Sequence, residues 1–431
     1  MAQQGTKEKL TQFMTQKVSP VFQKLGESKY LQTISASMMG TLTPIIIGSI
    51  AVLLLAFPIE AVQNAVAAAG LTSLLSAVNS LTIGAMALYV AFLMAKNLVT
   101  KFCPKEDGAL AGVLSLMSFL VLTPLGQTAD EVTAIPTTWL GAQGVFSAMI
   151  IGLCVGRIFI LFKQKNITIK MPDSVPPMVT RVFDSLFPGL TVGILVVIVA
   201  KIFEMTSFGS MHEFIYTLIQ EPLKGIGGSI GAIIICSLIQ QFLWFFGIHG
   251  TNVIMPIVQA LWMSMDAENL TAFAAGDPLP NIGGYAFFNI ITWGGTALGL
   301  VLLMLFSKSK QYKQLGKIAI VPALFGITEP VIFGTPLVLN FNLAVPFITN
   351  NTICLIAAYV LTRIGIVARC AGTTTIFGMP LGFHAIVGGS VSIIIMQLFL
   401  QLVLSPILWF PWFKRVERMA VKQEKGGAQN A

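Results

Sequence analysis

The sequence predicts an all-α polytopic membrane protein with about ten transmembrane helices and re-entrant hairpins in its C-terminal half. Three observations predict it. Of the 431 residues, 55% are hydrophobic and only 10% are charged, against about 25% charged in soluble domains. The mean hydropathy is +0.82. The apolar segments are long and continuous rather than alternating, which argues against a barrel.

The elements follow in order. Residues 1–30 are polar and basic and form a cytoplasmic segment. No signal peptide opens the chain, so the first apolar run is expected to be an uncleaved span over 31–57. Further spans are expected over 72–95, 108–122, 142–162 and 182–203, the third being short for a bilayer. Residues 204–225 are mixed in character and read as an amphipathic linker. A sixth span covers 226–246. An apolar stretch at 253–265 then precedes an acidic loop with Asp266, Glu268 and Asp277. Apolar runs at 283–306, 339–362 and 386–410 lead to a basic tail, 414–431. Residues 31–203 read as ordinary spanning helices and hence as scaffold. Residues 226–413 are interrupted by Gly, Pro, Asn and His, and read as the part that handles substrate.

Charge gives a sidedness. All of the 26 Lys and Arg except Lys201, Lys224, Arg363 and Arg369 fall in five clusters between apolar runs. The loops at 58–71, 123–141 and 266–277 hold none. By the positive-inside rule both termini are cytoplasmic, and the net charge of +8 reflects topology rather than nucleic-acid binding. The five cysteines form no CxxC pair and no metal spacing, so neither metal nor cofactor is expected. No Walker A loop, no complete GxGxxG and no regular arginine row is present, which sets aside ATP hydrolysis, dinucleotide binding and voltage sensing.

Four stretches could carry chemistry. The first is Gly326-Ile327-Thr328-Glu329-Pro330-Val331-Ile332-Phe333-Gly334-Thr335-Pro336, a carboxylate among helix breakers in apolar surroundings. An acid at membrane depth costs roughly 3 kcal/mol or more. Glu329 either binds or deprotonates a hydroxyl, or satisfies backbone amides freed at the break. The second is Gly247-Ile248-His249-Gly250-Thr251-Asn252 after an apolar helix. His249 there either binds a ligand or caps a helix end. The third is Leu140-Gly141-Ala142-Gln143-Gly144, where Gln143 offers a donor and an acceptor or merely starts a helix. The fourth is 363–384, with Arg363, Arg369, Thr373, Thr374, Thr375 and His384, a second re-entrant element or a plain loop, in which Arg363 and Arg369 read as interfacial anchors rather than ligands. Trp244, Trp262 and Trp293 could stack on a sugar, but each alone reads better as an interfacial anchor.

The second and first stretches together resemble motifs of the membrane subunit, enzyme IIC, of the phosphoenolpyruvate-dependent sugar phosphotransferase system. The lactose/cellobiose/diacetylchitobiose branch is the most similar, and 140–144 resembles it as well. That resemblance implies a homodimer in the bacterial cytoplasmic (inner) membrane. It implies a dimerisation domain, 31–203, and a transport domain, 226–413, that moves like an elevator. It carries sugar-binding roles onto His249 and Glu329, and less directly onto Asn252 and Gln143. The sugar, a di- or oligosaccharide of cellobiose, chitobiose or lactose type, is presented to a cytoplasmic IIB subunit. A phosphocysteine there phosphorylates the 6-hydroxyl, with IIA upstream. The chain carries no IIB or IIA domain, which fits separate subunits. One departure stands out. Members of this branch carry a Pro-Trp-Thr-Thr-Pro-like segment where residues 371–380 read Ala-Gly-Thr-Thr-Thr-Ile-Phe-Gly-Met-Pro, without the tryptophan. The alternatives are a cation-coupled sugar symporter, with Glu329 as the proton site, and a non-transporting sensor or scaffold.

Overall fold

The computed structural model describes residues 27–427, together with Gln16, Pro20 and Lys24. It leaves out 56–59, 129, 168–171, 173–174, 176–179, 181–182, 336 and 374–377, and the side chains of Glu60, Glu329, Phe333 and His384. Most of the N-terminal segment, Lys170, Arg181, Pro336, Thr374 and Thr375 therefore lie outside the described residues.

The chain divides into two compact units. The first comprises 27–226 and 256–277; the second comprises 1–26, 227–255 and 278–431. Among the described residues, seven helical stretches are long and apolar enough to cross a membrane. An eighth results if Met211–Gly227 and Ile230–Phe245, separated by a short break, count as one span.

In the first unit, small residues let helices approach closely. The core pair is Met86–Phe102 and Val145–Gln164. A Cβ at Gly152 would lie 2.5 Å from Met94 Cβ, and one at Gly156 would lie 3.2 Å from Ala95 Cα. Gly152 and Gly156 thus form a small-xxx-small seam against Ala91 and Ala95, both fully buried. Packing of this kind matters because lipid supplies no hydrophobic drive between helices. Ala109–Leu122, at 14 residues, is shorter than an ordinary span, as its sequence predicts.

The second unit is organised by a broken helix. The span Tyr285–Leu305 is interrupted at Trp293–Thr296, where Gly294 (φ +57°) and Gly295 (φ +63°) are left-handed. Such a break frees carbonyls that hydrocarbon cannot satisfy. They are taken up by one row of side chains on the last helix. Gln397 Nε2 donates to Ile290 O at 3.0 Å. Gln401 Nε2 donates to Ile291 O at 3.1 Å and Trp293 O at 3.3 Å. Ser405 Oγ (2.6 Å) and Trp409 Nε1 (3.3 Å) both donate to Thr296 O. These four residues recur every fourth position. On a regular helix such a row drifts by about 40° per step. The wide π turn Leu400–Leu404 takes part of that drift back.

Several sequence expectations need correction. The all-α class stands, but the loop 123–141 also holds a small ribbon, with Gly126–Gln127 paired antiparallel with Thr133–Ala134. Residues 58–71 are not simply a loop, since Glu60–Ala68 is helical. The acidic stretch from Asp266 is not a loop either. The helix Gly250–Ala275 runs through Asp266 and Glu268. Glu268 is neutralised there by Lys224 at 2.7 Å, a partner the linear sequence does not reveal. Residues 204–225, read as an amphipathic linker, are mostly helical, within Met211–Gly227, which agrees with that reading.

If the glutamine row holds the break, Gln401→Leu should cost about 1–3 kcal/mol, because it leaves buried carbonyls unpaired. Thermal unfolding in detergent should fall clearly. Leu402→Ala, at a site 41% exposed on the same helix, should change it little. Equal effects of the two would contradict the assignment.

Candidate functional site

Two helix ends in the second unit are built alike. Ile230–Phe245 stops at Gly247, whose φ is +77°. Gly247 N–H donates to Trp244 O and Ile248 N–H to Leu243 O, both at 3.0 Å. Lys310–Leu324 stops at Gly326, also with φ +77°. Gly326 N–H donates to Ala323 O at 3.1 Å and Ile327 N–H to Pro322 O at 3.0 Å. Each is a Schellman stop with a left-handed glycine, and each reads Phe-Gly-Ile. A new helix follows at once in both, Gly250–Ala275 and Glu329–Gly334.

His249 lies directly before the first of these new helices. Its Nδ1 accepts from Asn252 N–H at 3.3 Å, and its own carbonyl accepts from the same N–H at 3.1 Å. The ring therefore does cap a helix start, one of the two readings of the sequence. With Nδ1 accepting, the neutral ring carries its proton on Nε2, a donor. His249 is exposed and its ring rests against Trp244, with centroids 4.3 Å apart. Asn252 is exposed one turn on. Pro256, four residues later, has no N–H to give the Asn252 carbonyl. Gly250 is obligatory here: a Cβ would lie 2.0 Å from Gln240 O.

Glu329 opens the second new helix, with Pro330 in its first turn. The Glu329 side chain lies outside the described residues. Its backbone setting is well packed. A Cβ on Gly326 would lie 3.1 Å from the Trp293 ring, and one on Gly294 would lie 3.3 Å from Gly326 Cα and from Thr328 Cγ2. The break in Tyr285–Leu305 is thus seated on the break before Glu329. The chain after Glu329 then returns to the His249 loop. Leu339 N–H donates to Phe245 O at 2.9 Å, and Phe341 stacks edge-on against Phe245 at 5.3 Å. One unit therefore holds His249, Asn252 and Glu329 on linked segments.

Gln143 lies in the first unit, in the turn Ala142–Gly144. It lines a cavity of about 540 Å³. In the second unit, Arg369 is no lipid anchor. Its guanidinium donates to the carbonyls of Leu279 and Pro280 and fixes that loop. Trp262 (0% exposed) and Trp293 (6%) are core residues, which corrects the anchor reading for both. None of the five cysteines forms a disulfide, and among the described residues no cluster could hold a metal.

Sequence reasoning missed the framework residues. Gln397, Gln401, Ser405 and Trp409 were legible only as a polar row at spacing four in an apolar helix. His212 was equally silent. It is fully buried, with Nδ1 2.8 Å from Ser147 Oγ and Nε2 3.1 Å from Thr123 Oγ1.

With the geometry in hand, comparisons with known proteins agree on one group. The family described as phosphotransferase system, EIIC matches residues 35–350. The oligo-beta-mannoside-specific EIIC component of Bacillus subtilis (strain 168) is 33% identical, over 97% of this chain and 96% of its own. The cellobiose-specific EIIC component of Geobacillus stearothermophilus is 32% identical, over 97% and 96%. Among solved structures, the transporter ChbC, the IIC component of the N,N′-diacetylchitobiose-specific phosphotransferase system, superposes with a TM-score of 0.88. It is 34% identical, over 96% of this chain and 99% of that one.

The glycine stops yield a prediction. Gly326→Ala places a side chain at positive φ, which costs about 1–2 kcal/mol, and pushes it against Trp293. It should lower the unfolding temperature. Gly193→Ala, with nothing within 4 Å, should not.

Proposed function

This chain belongs to the phosphotransferase-system EIIC family, and from that premise we propose that its second unit binds a β-linked di- or oligosaccharide and presents it for phosphorylation. The protein is a multi-pass membrane permease component of a system that also uses IIA and IIB subunits. The site suits such a cargo. It has a histidine whose cap leaves Nε2 as the donor nitrogen, an exposed amide and a carboxylate position, all on irregular backbone. Sugars require dense hydrogen bonding to replace their hydration, and these groups supply donors and acceptors together. The relatives named for cellobiose, oligo-β-mannoside and diacetylchitobiose support a β-linked cargo.

The observation that carries the reading is the pair of Phe-Gly-Ile stops in one unit. Each ends a helix and delivers a polar residue, His249 or Glu329, at the start of the next. Broken helices of this kind line substrate sites in transporters. In the proposed reaction, the sugar O6 attacks the phosphorus of a phosphocysteine on IIB. The O6–P bond forms, the P–S bond breaks, and Glu329 takes the O6 proton. The product is charged and cannot return by the same route.

Transport fits two compact units moving against each other as an elevator within a homodimer, with both termini cytoplasmic. The chain passes between its units at positions suited to bending: near Gly228, at Pro256 inside a helix, and before Pro278. Sidedness supports cytoplasmic presentation, since Lys308, Lys310, Lys313 and Lys317 immediately precede the Glu329 break.

Membrane vesicles test this directly. With phosphoenolpyruvate and the soluble subunits, the wild type should accumulate phosphorylated sugar. Unmodified sugar accumulating under an ion gradient would instead establish a symporter. Glu329→Gln should lower phosphorylation by about 10²-fold or more at near-normal sugar affinity. Undiminished phosphorylation in this variant would rule out the base role. His249→Ala should weaken binding about tenfold, through loss of one donor and of the helix cap.

A further inference from the structure

The cavity that Gln143 lines is built of first-unit residues, whereas His249, Asn252 and Glu329 belong to the second unit. Its volume of about 540 Å³ lies within the roughly 300–1,000 Å³ usual for small-molecule sites. Three distant stretches form it: 79–84, 137–143 and 268–277. They lie in or next to the loops 58–71, 123–141 and 266–277, which hold no Lys or Arg and which the positive-inside rule places on the outer side.

The wall bearing Gln143 is held rigidly. Ala142 O accepts from Gln220 Nε2 at 3.0 Å and Ser264 Oγ at 3.1 Å. Leu140 O accepts from Ala87 N–H at 2.8 Å. Trp139 stacks on the clamped His212 ring at 5.7 Å. A Cβ on Gly144 would lie 1.7 Å from Trp139 O, so the turn admits only glycine there. By contrast, the side chains of Asn79, Thr137, Thr138 and Gln143 have no protein partner among the described residues. Rigid backbone behind uncommitted amides and hydroxyls is the arrangement of a prepared binding surface.

The chemistry selects the ligand. Amides and hydroxyls both donate and accept, as sugar hydroxyls do. The lining carries the carboxylates Asp277 and Glu268. Lys224, the nearby cation, is committed to Glu268. An anion is therefore disfavoured, and a phosphorylated sugar with it. We propose that this cavity is a capture site for neutral, unphosphorylated sugar on the outer side of the first unit. The inference rests on the permease reading above. It gives Gln143 a role at first encounter, apart from the site of phosphoryl transfer.

The test uses full-length protein in lipid nanodiscs and radiolabelled cellobiose, lactose and N,N′-diacetylchitobiose at millimolar concentration. The His249→Ala/Glu329→Gln variant should retain a weak class of binding for a sugar that the wild type binds. Adding Asn79→Ala and Thr138→Val should weaken that class by about fivefold per hydrogen bond removed. Asn79→Ala/Thr138→Val in the otherwise native protein should raise the KM for uptake into whole cells at unchanged maximal rate. This second measurement stands even if the first background proves unstable. Loss of all binding in folded His249→Ala/Glu329→Gln protein, or an unchanged KM in Asn79→Ala/Thr138→Val, overturns the capture site and leaves the permease reading intact. Equal affinity of the weak class for cellobiose 6-phosphate overturns its assignment to neutral sugar. A wild type that binds none of the three sugars overturns both readings.

Discussion

The second unit depends on carbonyls that have lost their helical partners. Breaking Tyr285–Leu305 at Trp293–Thr296 would be prohibitive in hydrocarbon without replacement donors. Gln397, Gln401, Ser405 and Trp409 provide them from one face of one helix. The rest follows from that substitution. The left-handed Gly294 can then sit against Gly326, and Trp293 against the same glycine. Glu329 gains an irregular but fixed approach. A polar row in an apolar helix thus maintains a broken backbone at membrane depth.

A repeated device then positions the chemistry. Phe246-Gly247-Ile248 and Phe325-Gly326-Ile327 share hydrogen-bond pattern and φ, and each hands the chain to a new helix. His249 shows how capping and ligand binding can coexist. The bond that Nδ1 accepts from Asn252 N–H orients the ring and fixes which nitrogen can donate. The bland and the functional readings of that residue are two consequences of one hydrogen bond.

Much of this was legible in the sequence. Apolar runs, basic clusters and the breakers around Glu329 and His249 each have a direct physical meaning. The rest was hidden for specific reasons. Glu268 reads as a loop residue until Lys224 is brought beside it. The ribbon at Gly126 and Thr133 has two residues per strand, too few for any periodicity. Arg369 looks like an anchor because its acceptors, Leu279 and Pro280, are far away in sequence. Trp293 looks like one because its neighbour, Gly326, is a residue with no side chain. Two of the predicted candidates, His249 and Glu329, fall on linked segments of one unit. Gln143 falls in the other unit, where it lines a cavity.

The central claim is that His249 and Glu329 serve one sugar. The most direct measurement is a structure of the full-length protein with a bound β-linked disaccharide. The account predicts sugar hydroxyls within hydrogen-bond distance of both His249 Nε2 and the Glu329 carboxylate. A bound sugar that contacts neither residue, with phosphorylation competence intact, would contradict it.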